Sequence, residues 1–217
     1  MTRLIILDWD GTLMDSEARI VASALAAAQD LERLDLEEHR VRDIIGLGLM
    51  EAVRTLFPGD PDEFCLRFIE RYRSHFLAED GDPMPLFPGV DTTLTALSEA
   101  GYLLAVATGK GRAGLDRALE ETGLGPLFVT SRCADETRSK PHPQMVEEIL
   151  DFTGVEPAAA VMVGDTEFDL NMAANAGIGA VGVAYGVHHR DRLLRLSPWA
   201  LIDEFPALPG VLLKRNF

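Results

Sequence analysis

The chain has 217 residues, enough for one large domain or for a domain carrying an inserted module, and with 47% hydrophobic and 25% charged residues it can build a sizeable core, which excludes wholesale disorder. Its formal net charge of −15 argues against nucleic acid as a partner, because the phosphates would meet a repulsive field; any small anionic substrate must likewise be met by a local cation. The uncharged stretch 173–187 is rich in Gly and shorter than the ~20 apolar residues of a membrane span, so no membrane partner is expected.

The run Leu-Ile-Ile-Leu within 3–7 predicts a short, fully buried parallel strand, and it stops at Asp8 without the charged-then-apolar order of a secretion signal. A polar loop containing Gly11 follows, over 8–16. From Glu17 to about Glu79 the pattern is helix after helix. Ile20, Ala24, Ala27, Ala28 and Leu31 share one helical face, and Phe64, Phe68, Tyr72 and Phe76 recur at intervals of four as a core-packing stripe. The stretch 80–88, with Gly81, Pro83, Pro85 and Pro88, is a punctuated linker.

Beyond the linker, helix and strand alternate: helix 90–100 closing at Gly101, strand 102–107, helix 115–121 ending at Gly123, a weak strand 128–131, helix 143–152 ending at Gly154, strand 159–163, helix 168–176 ending at Gly177, and strand 180–184. Such alternation predicts the α/β class, a doubly wound parallel sheet. The expected division is therefore an α/β core from 1–15 and 86–217, with a helical insertion over 16–85. Cys65 and Cys133 show neither metal spacing nor a redox pair, and they read as idle thiols in a reducing, cytoplasmic setting.

Four polar clusters stand where strands give way to loops or helices, the edge at which open α/β sheets bind ligands. Asp8 and Asp10 follow the first strand, Thr108 follows the second, Lys140 precedes the helix near Pro143, and Asp165 and Asp169 follow strand 159–163. Asp8, Asp10 and Asp165 are hard oxygen donors suited to Mg²⁺, and so many carboxylates together would repel one another without a cation. Lys140 and the Thr108 hydroxyl suit phosphate oxygens, one as a charge and one as a donor. Taken singly, each is commonly a helix cap, a turn residue or solvated surface; the combination, in order and at strand ends, points to one site.

The segment Asp8-Trp9-Asp10-Gly11-Thr12-Leu13-Met14-Asp15-Ser16 resembles the first motif of the haloacid dehalogenase superfamily, most closely its phosphoglycolate-phosphatase-like branch in subfamily IA. Thr108-Gly109-Lys110 resembles the second motif, Ser139-Lys140-Pro141-His142-Pro143 the third, and Gly164-Asp165-Thr166-Glu167-Phe168-Asp169-Leu170 the fourth, in the family's order. The resemblance spans essentially the whole chain, with the helical insertion where that branch carries its cap. It implies a Rossmann-like core and a Mg²⁺-dependent phosphatase of small phosphorylated metabolites. Asp8 would form an aspartyl-phosphate, and Asp10 would protonate the leaving group and later activate water. Thr108 and the Gly109 amide would hold phosphate oxygens, with Lys140 stabilising Asp8 and the phosphate. The metal set would be Asp8, the Asp10 carbonyl and Asp165, supported by Asp169. Many relatives have Asn where this chain has Gly109.

The same resemblance admits a nucleotidase or pyrophosphatase, a phosphomutase, or a non-catalytic binding protein on the same fold; a dehalogenase would need neither Asp10 nor a magnesium site. A monomer or small homo-oligomer is expected. Arg112 and Arg138 read as surface and His142 as structural. The adjacent His188 and His189 do not make a metal pair. Lys110 is left open between the site and the surface. The segment Ile45-Gly46-Leu47-Gly48 breaks the helical pattern and is the part of the insertion expected to face the phosphate, although a plain helix–helix turn fits it as well.

Overall fold

The computed structural model describes residues 3–78 and 84–214. Strand β1 (Leu4–Leu7) is followed by four helices, α1 (Glu17–Asp30), α2 (Glu38–Arg42), α3 (Leu49–Leu56) and α4 (Asp62–Phe76). Next come α5 (Val90–Glu99), β2 (Leu103–Thr108), α6 (Arg112–Thr122), β3 (Phe128–Cys133), α7 (Gln144–Thr153), β4 (Ala160–Gly164), α8 (Glu167–Asn175) and β5 (Gly179–Val183). The chain closes with α9 (Arg190–Leu194), β6 (Ala200–Ile202) and α10 (Leu208–Lys214). The six strands form one parallel sheet in the order β3-β2-β1-β4-β5-β6, so the α/β doubly wound reading holds.

All four residues of β1 are buried because helices cover both faces of the sheet. Alternation along the strand divides them. Ile5 and Leu7 pack with Leu94 and Leu97 of α5, Leu115 of α6 and Leu208 of α10. Leu4 and Ile6 pack on the other face with Met145 and Ile149 of α7 and Met172 of α8. At roughly 1.5–3 kcal/mol for each large side chain fully buried, this central strand is among the most strongly held parts of the fold.

Helices α1–α4 close around a separate apolar cluster that includes Ala24, Ala27, Val53, Cys65 and Phe68. The stripe Phe64-Phe68-Tyr72-Phe76 packs here, as its spacing predicts; Phe57 stands 5.2 Å from both Phe64 and Phe68. The chain leaves the sheet and returns to it along neighbouring paths. Asp15 N donates to Pro85 O at 2.8 Å and Phe87 N to Leu13 O at 2.9 Å. The first residues of the linker 80–88, up to 83, lie outside the described residues.

The C-terminal elements α9, β6 and α10 are absent from the sequence expectation. Strand β6 has only three residues at the sheet edge and follows Ser197-Pro198-Trp199, too short a run for alternation to register. Among the described residues no helix is long and apolar enough to cross a membrane.

Candidate active site

The site lies beyond the C-terminal ends of β1, β2 and β4, three adjacent strands. Their register sets Leu7 beside Val106 and Val163, so the residues that follow emerge at one level. Asp8 continues β1 and is 1% exposed, and its amide donates to Val163 O at 3.0 Å. The turn after it is compact: Leu13 N and Met14 N both donate to Trp9 O, and Gly11 adopts φ +76°. A Cβ at Gly11 would lie 2.2 Å from Asp165 Oδ2, so this position needs glycine for both its conformation and its closeness to the carboxylate.

Lys140, fully buried, extends its ammonium between two carboxylates, 2.8 Å from Asp8 Oδ1 and 2.6 Å from Asp169 Oδ1. Burial alone would lower its pKa; the charges of Asp169 and Asp8 outweigh burial and hold it raised. Asp169 serves two neighbours at once, since its Oδ2 also accepts from Thr166 N at 3.1 Å and Thr166 Oγ1 at 2.6 Å, closing the capping box of α8. Asp165 accepts from Thr12 Oγ1 at 3.0 Å and from Val187 N at 2.9 Å.

Oxygens of Asp8, Asp165 and Asp169 lie within 4.8 Å of one another, all buried. Burial pushes Asp165 up to about 7, with the Asp169 charge adding to it, and burial also raises Asp8, against the pull of Lys140. Apart from the Lys140 ion pair, neither Asp8 oxygen has a hydrogen-bond partner among the described residues. A buried carboxylate left so, in a cluster carrying more negative charge than Lys140 can balance, fits a hard divalent cation such as Mg²⁺.

The Asp10 carboxylate is directed elsewhere. It accepts from Ser16 Oγ at 2.6 Å and pairs with Lys110 Nζ at 2.9 Å. It is therefore the Asp10 carbonyl, as the sequence resemblance has it, that would serve a cation. The Lys110 ammonium also sits 5.0 Å from the centroid of the Phe76 ring, so the open reading of this residue resolves toward the site. Thr108 is 1% exposed at the end of β2, and its hydroxyl accepts from Lys110 N at 3.1 Å.

The segment 45–48 reaches the site. A Cβ at Gly109 would lie 2.6 Å from the carbonyl oxygens of both Gly46 and Leu47, and Gly48 N donates to Ser139 Oγ at 2.8 Å. The turn's backbone thus occupies the space of an Asn side chain at 109. On the far side Arg192 of α9 pairs with Asp43 of the helical segment at 2.7 Å and with Glu167 of α8.

Sequence reasoning missed Ser16, Thr12 and the Val187 amide, which orient the acidic groups; Thr12 and Ser16 stand inside the first motif and were within reach of it. Arg112 is an ion-pair hub with Glu136 and Asp116 rather than free surface. His142 accepts from Gln144 N, and Arg138 stands 2.8 Å from its ring. His188 is buried and accepts from Glu167 N at 3.1 Å, while His189 is exposed, so the two do not form a pair. Cys65 and Cys133 are free and buried, with burial pushing the Cys133 thiol up to about 12.

The model of the haloacid dehalogenase-like hydrolases matches residues 5–183. The chain belongs to that family. Within it, a protein of Dickeya dadantii named "Probable phosphatase IndB" is 36% identical over 97% of this chain and 93% of its own length. A phosphoglycolate phosphatase of Agrobacterium fabrum is 30% identical over 99% of this chain and 94% of its own. A hydrolase of Pseudomonas syringae, 22% identical, superposes with a TM-score of 0.85 over 97% of this chain and 98% of that one. The haloacid dehalogenase-like fold is shared from end to end, helical segment included.

Proposed function

We propose that this haloacid dehalogenase-like hydrolase is a Mg²⁺-dependent phosphatase of small, soluble phosphate monoesters that works through an aspartyl-phosphate on Asp8. The observation that carries the reading is the buried Asp8 carboxylate, fixed by Lys140 and with no other hydrogen-bond partner among the described residues, while Asp10 faces a different set of partners two residues away. The phosphatase and phosphoglycolate phosphatase relatives support the reaction class.

In this reading Lys140 aims Asp8 and, together with a bound cation, would hold it ionised; one of its oxygens bonds to phosphorus, and the bond to the leaving oxygen breaks. Asp10 gives its proton to that oxygen and then takes one from the water that releases phosphate. Thr108 Oγ1 and the amides after it serve the phosphoryl oxygens. Asp8, the Asp10 carbonyl and Asp165 would hold Mg²⁺, with Asp169 positioning Lys140; bound there, the cation neutralises carboxylates and phosphate alike. Residues 16–85 act as a lid whose turn 45–48 closes over Gly109. Buried free thiols accord with a cytoplasmic setting.

The test is turnover of a panel of phosphorylated metabolites with and without Mg²⁺, phosphoglycolate first because of the relatives, together with mass spectrometry of acid-quenched enzyme. Mg²⁺-dependent release of phosphate and a phosphoryl adduct on Asp8 are expected. Full activity in excess chelator, or an adduct elsewhere, refutes the reading.

A further inference from the structure

A cavity of about 790 Å³ lies between the helical segment, into whose core it extends, and helix α6 with the loops after β1 and β2. Of the charged site residues, Asp10 and Lys110 line it, whereas Asp8, Lys140 and the acidic cluster do not. This division has chemical content. Asp10 is the group that hands its proton to the leaving oxygen, so the leaving group extends to the Asp10 side, into this cavity. The phosphoryl group stays inside, at Asp8.

The wall facing Asp10 is apolar. Tyr72 and Phe76 stack at 5.5 Å with their planes 28° apart, and Phe76 runs on to the Lys110 ammonium. Ile45, Leu49 and Met84 contribute to the remaining lining. Three cations in the lining are already engaged: Lys110 by Asp10, Arg117 by Glu121 at 2.6 Å, and Arg19 by the carbonyls of Phe76 and Ala78 at 2.8 and 2.9 Å. Arg73, on the same wall, has no ion-pair or hydrogen-bond partner among the described residues, but it is exposed. The turn 45–48 is already in contact with Gly109 and Ser139, so the volume belongs to a docked arrangement. A two-carbon acid would leave most of it as water against hydrocarbon; a ring-bearing alcohol would fill it.

Resting on the phosphatase reading, we infer that the substrate is a phosphate monoester of an alcohol bearing an apolar, ring-sized body, seated against Tyr72 and Phe76, rather than of a short hydroxy acid. The intact chain with Mg²⁺ is assayed on benzyl phosphate, methyl phosphate and 2-phosphoglycolate, with p-nitrophenyl phosphate as a general reporter of phosphatase chemistry. The kcat/KM for benzyl phosphate is expected to exceed that of both small esters by about tenfold or more. Ala113→Phe, which puts a ring into the cavity from α6, should reduce the benzyl-to-methyl ratio by about tenfold; the wild-type ranking alone still decides the matter if that variant does not fold. A wild-type preference for phosphoglycolate overturns the inference, and its loss in Arg73→Gln would transfer recognition to a carboxylate at Arg73. No turnover of any ester, p-nitrophenyl phosphate included, sinks the phosphatase reading itself, and this inference with it.

Discussion

Replacing Gly109 with Ala tests the lid. The added methyl would sit 2.6 Å from two carbonyl oxygens of the turn, where real Cβ contacts begin at 3.0 Å and are ordinary only beyond 3.4 Å. The turn must therefore retreat by about 0.4–0.8 Å, because β2 beneath Gly109 is fixed on both sides by strands. The same retreat stretches the 2.8 Å bond from Gly48 N to Ser139 Oγ to the limit of hydrogen bonding or beyond it. Overpacking of this kind costs about 1–3 kcal/mol, and the weakened bond about 1 kcal/mol more. Borne by the closed arrangement alone, a penalty of about 2 kcal/mol shifts the open–closed equilibrium roughly thirtyfold toward open. The expected result is a kcat/KM on p-nitrophenyl phosphate lowered ten- to a hundredfold, with thermal unfolding within a few degrees of wild type. Wild-type kinetics in a folded Gly109→Ala protein would refute closure of this turn on Gly109. A large drop in melting temperature would show that the contact belongs to the fold rather than to a lid.

Asp8→Asn should abolish turnover and the phosphoryl adduct. Asp10→Asn should fold, still phosphorylate from p-nitrophenyl phosphate, whose leaving group needs no proton, and hydrolyse the intermediate slowly; single-turnover kinetics with mass spectrometry separates the two. Chelation should remove activity, Mg²⁺ should restore it, and Ca²⁺, with its looser coordination, should not. In the metal-free protein Asp165 (up to about 7) and Asp8 hold protons better than they do in the unfolded chain, so their contribution to stability is full below about pH 4 and lost as pH rises toward and through 7. Differential scanning calorimetry should therefore show Mg²⁺ raising the melting temperature more at pH 8 than at pH 6, because at pH 6 the ion must displace protons; the reverse order would contradict the protonated cluster.

The alternating half of the fold was legible because parallel strands write themselves as short apolar runs between helices that close at Gly, with Asp8, Thr108 and Asp165 at strand ends and Lys140 just before a helix. The contacts that tune the site were not legible from periodicity. Lys110 meets Asp10 across 100 positions, and the amide of Val187 meets Asp165 from a loop with no charge to mark it. Such pairings depend on where two loops come to rest, which no local pattern encodes. Gly109 is the instructive case. As a departure from the usual Asn it reads as a lost donor, whereas in three dimensions the position is taken by the backbone of the turn at 46–47. Strand β6 was missed for the opposite reason, since three residues carry too little alternation to register.

The placement of β1 sets a timetable for synthesis. The strand that leads into Asp8 is made well before its neighbours β2 and β4, whose first residues are Leu103 and Ala160. Helices α1–α4 emerge in between, with contacts confined largely to their own segment, and can collapse around Phe68 and Val53 while the apolar run Leu4–Leu7 still lacks both partners. A nascent chain stopped before residue 103 would thus carry a packed helical module and an unpaired Leu-Ile-Ile-Leu segment, the kind of strand that aggregates or recruits a chaperone. The nucleophile's pocket closes only when β4 docks and brings Asp165 to Asp8, so chemical competence waits until the residues beyond β4 have left the ribosome.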